Sequence, residues 1–501
     1  MEGIGEIFAV PFFGQGHFLP FMELCRQFCS MQYKTTLIIS SDLTSSVPAS
    51  LLHHELFSLA EFTRPLPPLP TKGPKPRPGS GLNPIQIHFQ KMGDFIESLL
   101  ESRPKEPDPS RPIFSVVDNL MCWSKGIFMK FQLPVVAFFA FAAVDVALEY
   151  AAWKADVENL QPGVTRVLPG LPEYMAFNYS DLTIRRNSHP NPFKNDDKGA
   201  KSFGSVEQAP DLPDRKKKSF PTEPGDEPAW VDDTKGAVAF FINSCHELEG
   251  VFIDYISTQI GVPVWAVGPL LPEEYWKWNH TSIFADSGIR PNRKSNYSEQ
   301  QVMQWLDEKP RRSVIYVSFG SQITPKLEEH DEIANALEEL NRPFIWVLQT
   351  GSDVVLEYYP SGLETKVGNR GLIIQGWAPQ LLILNHPSVG GCLTHSGWNS
   401  AMEAIGRGIP TLAWPIRGDQ FYNAKSIESH LKVGYIISKR DDTSEIITKN
   451  TIIQGIDRLM DDEGVHERAE ALGKKVFKQG FPASSVASLT AFKDFTSRFA
   501  A

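Results

Sequence analysis

Residues 377–420, WAPQLLILNHPSVGGCLTHSGWNSAMEAIGRGIPTLAWPIRGDQ, hold two turns of an α/β alternation. Leu393 and its apolar neighbours read as a short buried strand, residues 394–399 as a Gly-containing turn, 400–405 as a helix and 410–414 as the next strand. A strand, a tight turn and a helix start in that order predict an anion site. The free N–H groups of the first helical turn and the positive end of the dipole both favour negative charge there, and Asn399 and Ser400 add short side-chain donors. The turn is not a Walker loop, because no Gly-Lys-Ser/Thr follows the glycines.

The same alternation runs outward in both directions. Near the N-terminus, EIFAVPF (6–12) reads as a strand, 13–16 as a Gly-bearing turn and 19–30 as a helix, so His17 lies at the handover where open parallel sheets bind ligands. A single His in such a place is most often structural. The strand FSVVD (114–118) brings Asp118 to the same carboxyl edge. There it can hold an imidazole in one tautomer and stabilise its charged form, or simply cap the following helix. Strands at 34–40, 133–139, 237–243 and 264–267 and helices at 83–100, 142–153 and 246–256 complete this half. Phenylalanines gather near the strand ends, and Phe12, Phe13, Phe18, Phe89 and Phe141 predict an aromatic cleft for an apolar ligand, with plain core packing as the ordinary alternative. Residues 163–230 read as long surface loops facing that cleft.

Loss of periodicity over 268–296, with Pro269, Pro272 and Pro291, marks a linker. Beyond it the alternation restarts, with strands at 313–319, 343–348, 372–375 and 433–437. The final helix, 484–499, finds no partner in its own half. The expected organisation is therefore 1–268, a linker at 269–296, 297–480, and a terminal segment 481–501.

A chain of 501 residues suits two domains of roughly 200–250 residues each. A net charge of −10 and a pI near 5.7 give no basic footprint for nucleic acid. Five scattered cysteines without CxxC spacing fit a reducing compartment and supply no metal site. No apolar run reaches membrane-spanning length, and residues 1–10 do not resemble a signal peptide. A cytoplasmic monomer is expected.

The 44-residue stretch 377–420 resembles the signature box of the plant UDP-dependent glycosyltransferases of secondary metabolism. Further matches are Gly16-His17, Val117-Asp118, Asn243 with Glu247-Leu248-Glu249, Val267-Gly268-Pro269, Trp305-Leu306-Asp307 and Ser318-Phe319-Gly320-Ser321. The resemblance implies a GT-B fold: two Rossmann-like α/β domains facing across a cleft, with the last helix crossing back to the first domain. It implies glucose transfer from UDP-glucose to a hydroxyl, or an aromatic carbon, of a small acceptor such as a flavonoid, with no metal or other cofactor. Uracil would stack on Trp377, with Gln380 nearby and the Ala378 backbone on the base edge; Glu403 would accept from the ribose hydroxyls. Ser321, His395, Asn399 and Ser400 would hold the diphosphate, and Trp398, Asp419 and Gln420 would face the sugar. His17 would be the base and Asp118 its orienting acid. One departure is Ala140-Phe141-Ala142, where many members carry Ser or Thr. The other readings kept open are a nucleotide-sugar epimerase of the same architecture and a non-catalytic small-molecule binder.

Overall fold

The computed structural model describes residues 4–63, 84–103, 113–182, 225–276, 294–320, 323–348, 358–438 and 445–499. Its first half is a parallel sheet of β1 (Gly5–Val10), β2 (Tyr33–Ser40), β3 (Phe57–Phe62), β4 (Ile113–Asp118), β5 (Val135–Phe139), β6 (Ala239–Ile242) and β7 (Val264–Ala266). The spatial order is β3-β2-β1-β4-β5-β6-β7. Buried Val, Ile and Phe runs form these strands because helices cover both faces, so continuous apolar sequence is favoured over alternation. The second half repeats the plan with β8 (Val314–Ser318), β9 (Phe344–Leu348), β10 (Gly371–Gln375), β11 (Val389–Thr394), β12 (Thr411–Ala413) and β13 (Gly434–Ile436), in the order β10-β9-β8-β11-β12-β13. Two Rossmann-like halves, each a doubly wound parallel sheet, make up a GT-B architecture, as the sequence led us to expect.

Each sheet reverses its strand order once, and ligands bind α/β sheets at such a switch point. In the first half the switch lies between β1 and β4, where Val10 is in register with Val117. That register sets Asp118 beside the chain leaving β1. In the second half it lies between β8 and β11, with Ser318 opposite Thr394, so the turns at Gly320 and His395 share one edge.

The helices that matter for the site are α1 (Gln15–Ser30), α2 (Pro84–Glu101), α3 (Ala143–Lys154), α4 (His246–Gln259), α5 (Trp398–Gly406), α6 (Gln420–Lys425) and α7 (Ala483–Thr496). α1 begins at Gln15, earlier than the expected 19, because Gly14 opens it by accepting the N–H groups of His17 and Phe18; Pro20 cannot donate to the Gly16 carbonyl, which accepts from the Asn399 amide instead. His17 therefore sits inside the first turn of α1. Residues 420–431 divide into α6 and a π-helical stretch, Ser426–Leu431. Strand β3 was not anticipated; its half-buried FSLAEF lacks clean alternation.

The final helix packs on the first half. Phe492 of α7 is fully buried among Phe28, Tyr33, Phe114, Phe241 and Trp265, and the Tyr33 hydroxyl meets Thr496 Oγ1 at 2.5 Å. Ser485 donates to the Gly268 carbonyl, also at 2.5 Å. Of the expected linker, residues 277–293 lie outside the described residues. The preceding helix Glu273–Trp276 is tied to the second half, with the Tyr275 hydroxyl donating to the Glu403 carbonyl at 2.6 Å.

Candidate active site

The two switch points face each other across the cleft. On the first side, His17 Nδ1 lies 2.9 Å from Asp118 Oδ2, although the residues are 101 positions apart. Asp118 is fully buried, whereas the His17 side chain keeps 21 % of its surface exposed. The other carboxylate oxygen, Oδ1, accepts the Leu120 N–H at 3.0 Å. The capping and orienting roles that sequence left as alternatives are thus filled at once, one by each oxygen. An ionised carboxylate accepts from Nδ1–H, which leaves Nε2 as the basic nitrogen. Burial alone would lower the His17 pKa, but the charge and hydrogen bond of Asp118, with the charge of Asp419, outweigh it and raise the pKa above its ordinary value.

The aromatic wall is partly as expected. Phe12 stands edge-on to His17 with ring centres 5.3 Å apart, Phe13 lies 4.2 Å from Phe12, and Phe141 is 6.4 Å from His17. Phe18 and Phe89 are corrections. Both are fully buried core residues: Phe18 packs under the other face of the sheet with Ile7 and Phe21, and Phe89 lies against Trp123. A residue immediately after His17 on a helix points about 100° away from it, which is why Phe18 leaves the cleft. His88, one position before Phe89, takes that place instead, 5.9 Å from Phe13. No motif marked it in the sequence; helical spacing from the apolar positions of α2 would have been the only signal.

The start of α3, two residues beyond Phe141, is held by a buried carboxylate. Glu249 accepts the N–H groups of Ala143 and Val144 at the start of α3, at 2.8 and 3.0 Å, and the Ser244 hydroxyl at 2.5 Å. Burial pushes its carboxyl up to about 7 despite those bonds. Ala142, the N-cap of α3, has no polar side chain, so Glu249 takes the first free N–H groups of the helix in its place.

On the second side, Gln380 organises the region assigned to base and ribose. Its Nε2 donates to Glu403 Oε2 at 2.6 Å and reaches Ser400 Oγ at 3.4 Å, while its Oε1 accepts from the Tyr316 hydroxyl at 3.0 Å. Trp377 is half-buried, its backbone N–H donating to the Lys294 carbonyl at 2.8 Å; Ala378 is buried. The turn between β11 and α5 is built around His395. A Cβ on Gly397 would come within 2.5 Å of its Nε2, and one on Gly320, at φ +77°, within 2.7 Å of its ring. Two glycines are required for that imidazole to lie in the turn. Ser396 adopts φ 64°, a strained region for a side chain, with its carbonyl held by the Asn423 amide at 3.0 Å. Burial lowers the His395 pKa to about 4, so at neutral pH it is an uncharged donor and not the cation a diphosphate would draw.

Three of the remaining donor-side residues, Trp398, Asn399 and Gln420, already carry other contacts. The Trp398 indole does not face the cleft as a sugar platform: it is buried and its N–H donates to the Asn243 carbonyl at 2.6 Å, so it packs one half on the other. Asn399 donates to the Gly16 carbonyl at 2.8 Å, next to His17. Gln420 is buried, with Oε1 accepting the N–H groups of Ile416 and Arg417 at 2.9 Å each, so its Nε2 is what remains for a sugar. Ser321 lies outside the described residues. Asp419 stands at the start of α6, its Oδ2 accepting from Asn423 at 2.8 Å, and is near enough for its charge to act on His17.

The family model for UDP-glucoronosyl and UDP-glucosyl transferases matches residues 261–473. The chain is 29 % identical to an anthocyanin 3′-O-beta-glucosyltransferase of Gentiana triflora, over 94 % of each sequence. It is 26 % identical to a UDP-glucose flavonoid 3-O-glucosyltransferase 7 of Fragaria ananassa, over 93 % of this chain and 90 % of that one. The crystal structure of Glycyrrhiza uralensis UGT73P12, complexed with glycyrrhetinic acid 3-O-monoglucuronide, superposes with a TM-score of 0.73 at 22 % identity, covering 99 % of this chain and 96 % of the other. That likeness speaks for the fold.

Proposed function

We propose that this chain, which belongs to the plant UDP-dependent glycosyltransferase family, moves glucose from UDP-glucose to a hydroxyl of a small apolar phenol such as a flavonoid. The observation that carries the reading is the His17–Asp118 pair at 2.9 Å, facing the Gln380–Glu403 donor region across the cleft. A phenol with a pKa near ~10 is a poor nucleophile at neutral pH, so a base has to take its proton during attack. Nε2 of His17 accepts that proton, and Asp118 stabilises the resulting imidazolium. The acceptor oxygen bonds to the anomeric carbon as the bond to the UDP oxygen breaks, with inversion. The departing charge falls on the start of α5 and the neutral His395, which donates a hydrogen bond. The proposed step needs no metal.

Among the described residues no helix is long and apolar enough to cross a membrane, and all five cysteines are free and buried. The free cysteines favour the proposed cytoplasmic setting, and a monomer is proposed as the working unit.

The test is UDP release over a panel of phenols. Wild type should release UDP only with an acceptor present; an epimerase would show no acceptor dependence and a binder no release. His17→Ala should cut turnover by about 10²–10⁴-fold while UDP affinity holds. Unchanged turnover would remove His17 from the role of base.

A further inference from the structure

Away from the reacting edges, the far end of α6 joins the two halves. Lys425, its last residue, is buried, and its ammonium donates to the Ala176 carbonyl at 2.7 Å and to Asp181 Oδ2 at 2.6 Å. The same nitrogen lies 5.3 Å from the centre of the Phe177 ring. Asp181 Oδ2 is also held by the Asn178 N–H at 2.9 Å. In the π-helical stretch that follows, His430 meets the Tyr174 hydroxyl through Nδ1 and the Leu248 carbonyl through Nε2, each at 2.9 Å, and its ring stacks on Tyr174. Lys425 and His430 belong to the second half; all of these partners belong to the first.

A buried ammonium is costly unless it is paired, and nothing in the proposed transfer needs a charge at this place. What does lie within reach is the opposite end of the same helix. α6 is six residues long, about 9 Å, and starts at Asp419 and Gln420. Its start is stiff, since Asn423 binds both Asp419 and the Ser396 carbonyl and Gln420 holds the loop at 416–417. A shift at Lys425 is therefore carried to the sugar-facing turn. π-helical turns are frequent at functional sites, and here the stretch places His430 against α4.

We propose that Lys425 is a positioning residue that, with His430 behind it, latches α6 to residues 174–181 and so sets the sugar-facing turn at Asp419–Gln420 against His17. This rests on the donor reading of Asp419 and Gln420. A displacement near one ångström at a reacting centre costs up to about 100-fold in rate, so a loosened latch acts on turnover before it acts on nucleotide binding.

The experiment is a double-mutant cycle with Lys425→Met, which keeps the apolar stem, and Asp181→Asn. Each single variant should lose about tenfold in kcat with UDP-glucose, with calorimetric UDP affinity within about twofold of wild type. The double variant should be no slower than the slower single, because both remove one latch. The share of UDP-glucose lost to water instead of acceptor should rise in all three. The latch is overturned if Lys425→Met turns over like wild type, if the two effects simply multiply, or if kcat, UDP affinity and melting temperature all drop together. Absence of acceptor-dependent UDP release from wild type would instead defeat the donor reading itself.

Discussion

His17 and Asp118 assign the acid side of any pH profile. The raised pKa of His17 means that its Nε2 is lost to protonation as pH falls through a value above the ordinary 6.5, so kcat/KM should decline below that point and level off above it. His395, lowered to about 4 by burial, stays neutral over that range and contributes no limb between pH 5 and 8. Asp118→Asn removes the charge that raises His17. Its acid limb should therefore move to lower pH, and its plateau should drop, because an amide no longer selects the tautomer or offsets the imidazolium. Initial rates of UDP release from pH 5 to 9 check both parts. An unmoved limb in Asp118→Asn would mean that another group sets it. Of this pair the sequence revealed the edge at which each residue sits, through strand ends; it could not reveal that one carboxylate serves cap and base together, since that needs the β1–β4 register.

Among elements, strands and helices with strong periodicity were legible in the sequence almost to their ends, and α7 was legible by default, as a helix lacking a partner. Its partner is the aromatic cluster under the first sheet, and Phe492 is the anchor of that contact. Phe492→Ala should cost about 3–5 kcal/mol, as for large-to-small changes in a packed core, read as a lower urea midpoint with little change in slope. A cost under about 1 kcal/mol would show that the helix rests on the surface instead of entering the core. What stayed hidden in the sequence were features decided by neighbours in space. Phe18 and Phe89 share the composition of cleft residues, yet the helix phase turns them into the core, and Trp398 has the place in the box of a ligand platform but serves packing. β3 lacked both alternation and a continuous apolar run because its residues are only half covered.

At the scale of the molecule, the two halves share one apolar core. Trp398, Met402, Tyr422 and Phe477 of the second half pack in the same cluster as Val10, Phe139 and Leu148 of the first. Domains joined by small polar contacts tend to move and unfold separately, whereas a continuous buried core couples them. The Asn399–Gly16 and Tyr275–Glu403 bonds cross the same boundary and add direction to that coupling. Heating should therefore give one calorimetric transition for the intact chain. Trp398 is the largest side chain in the shared region that also donates a bond across it, so Trp398→Ala should remove about 3–5 kcal/mol and leave the Asn243 carbonyl without that donor. The coupling is then weak enough for the halves to melt at separate temperatures, and added UDP should raise only the transition of the half carrying Trp377 and Glu403. Two resolved transitions in wild type, or a Trp398→Ala variant that still melts as one unit near the wild-type temperature, would show that the shared core does not hold the halves together.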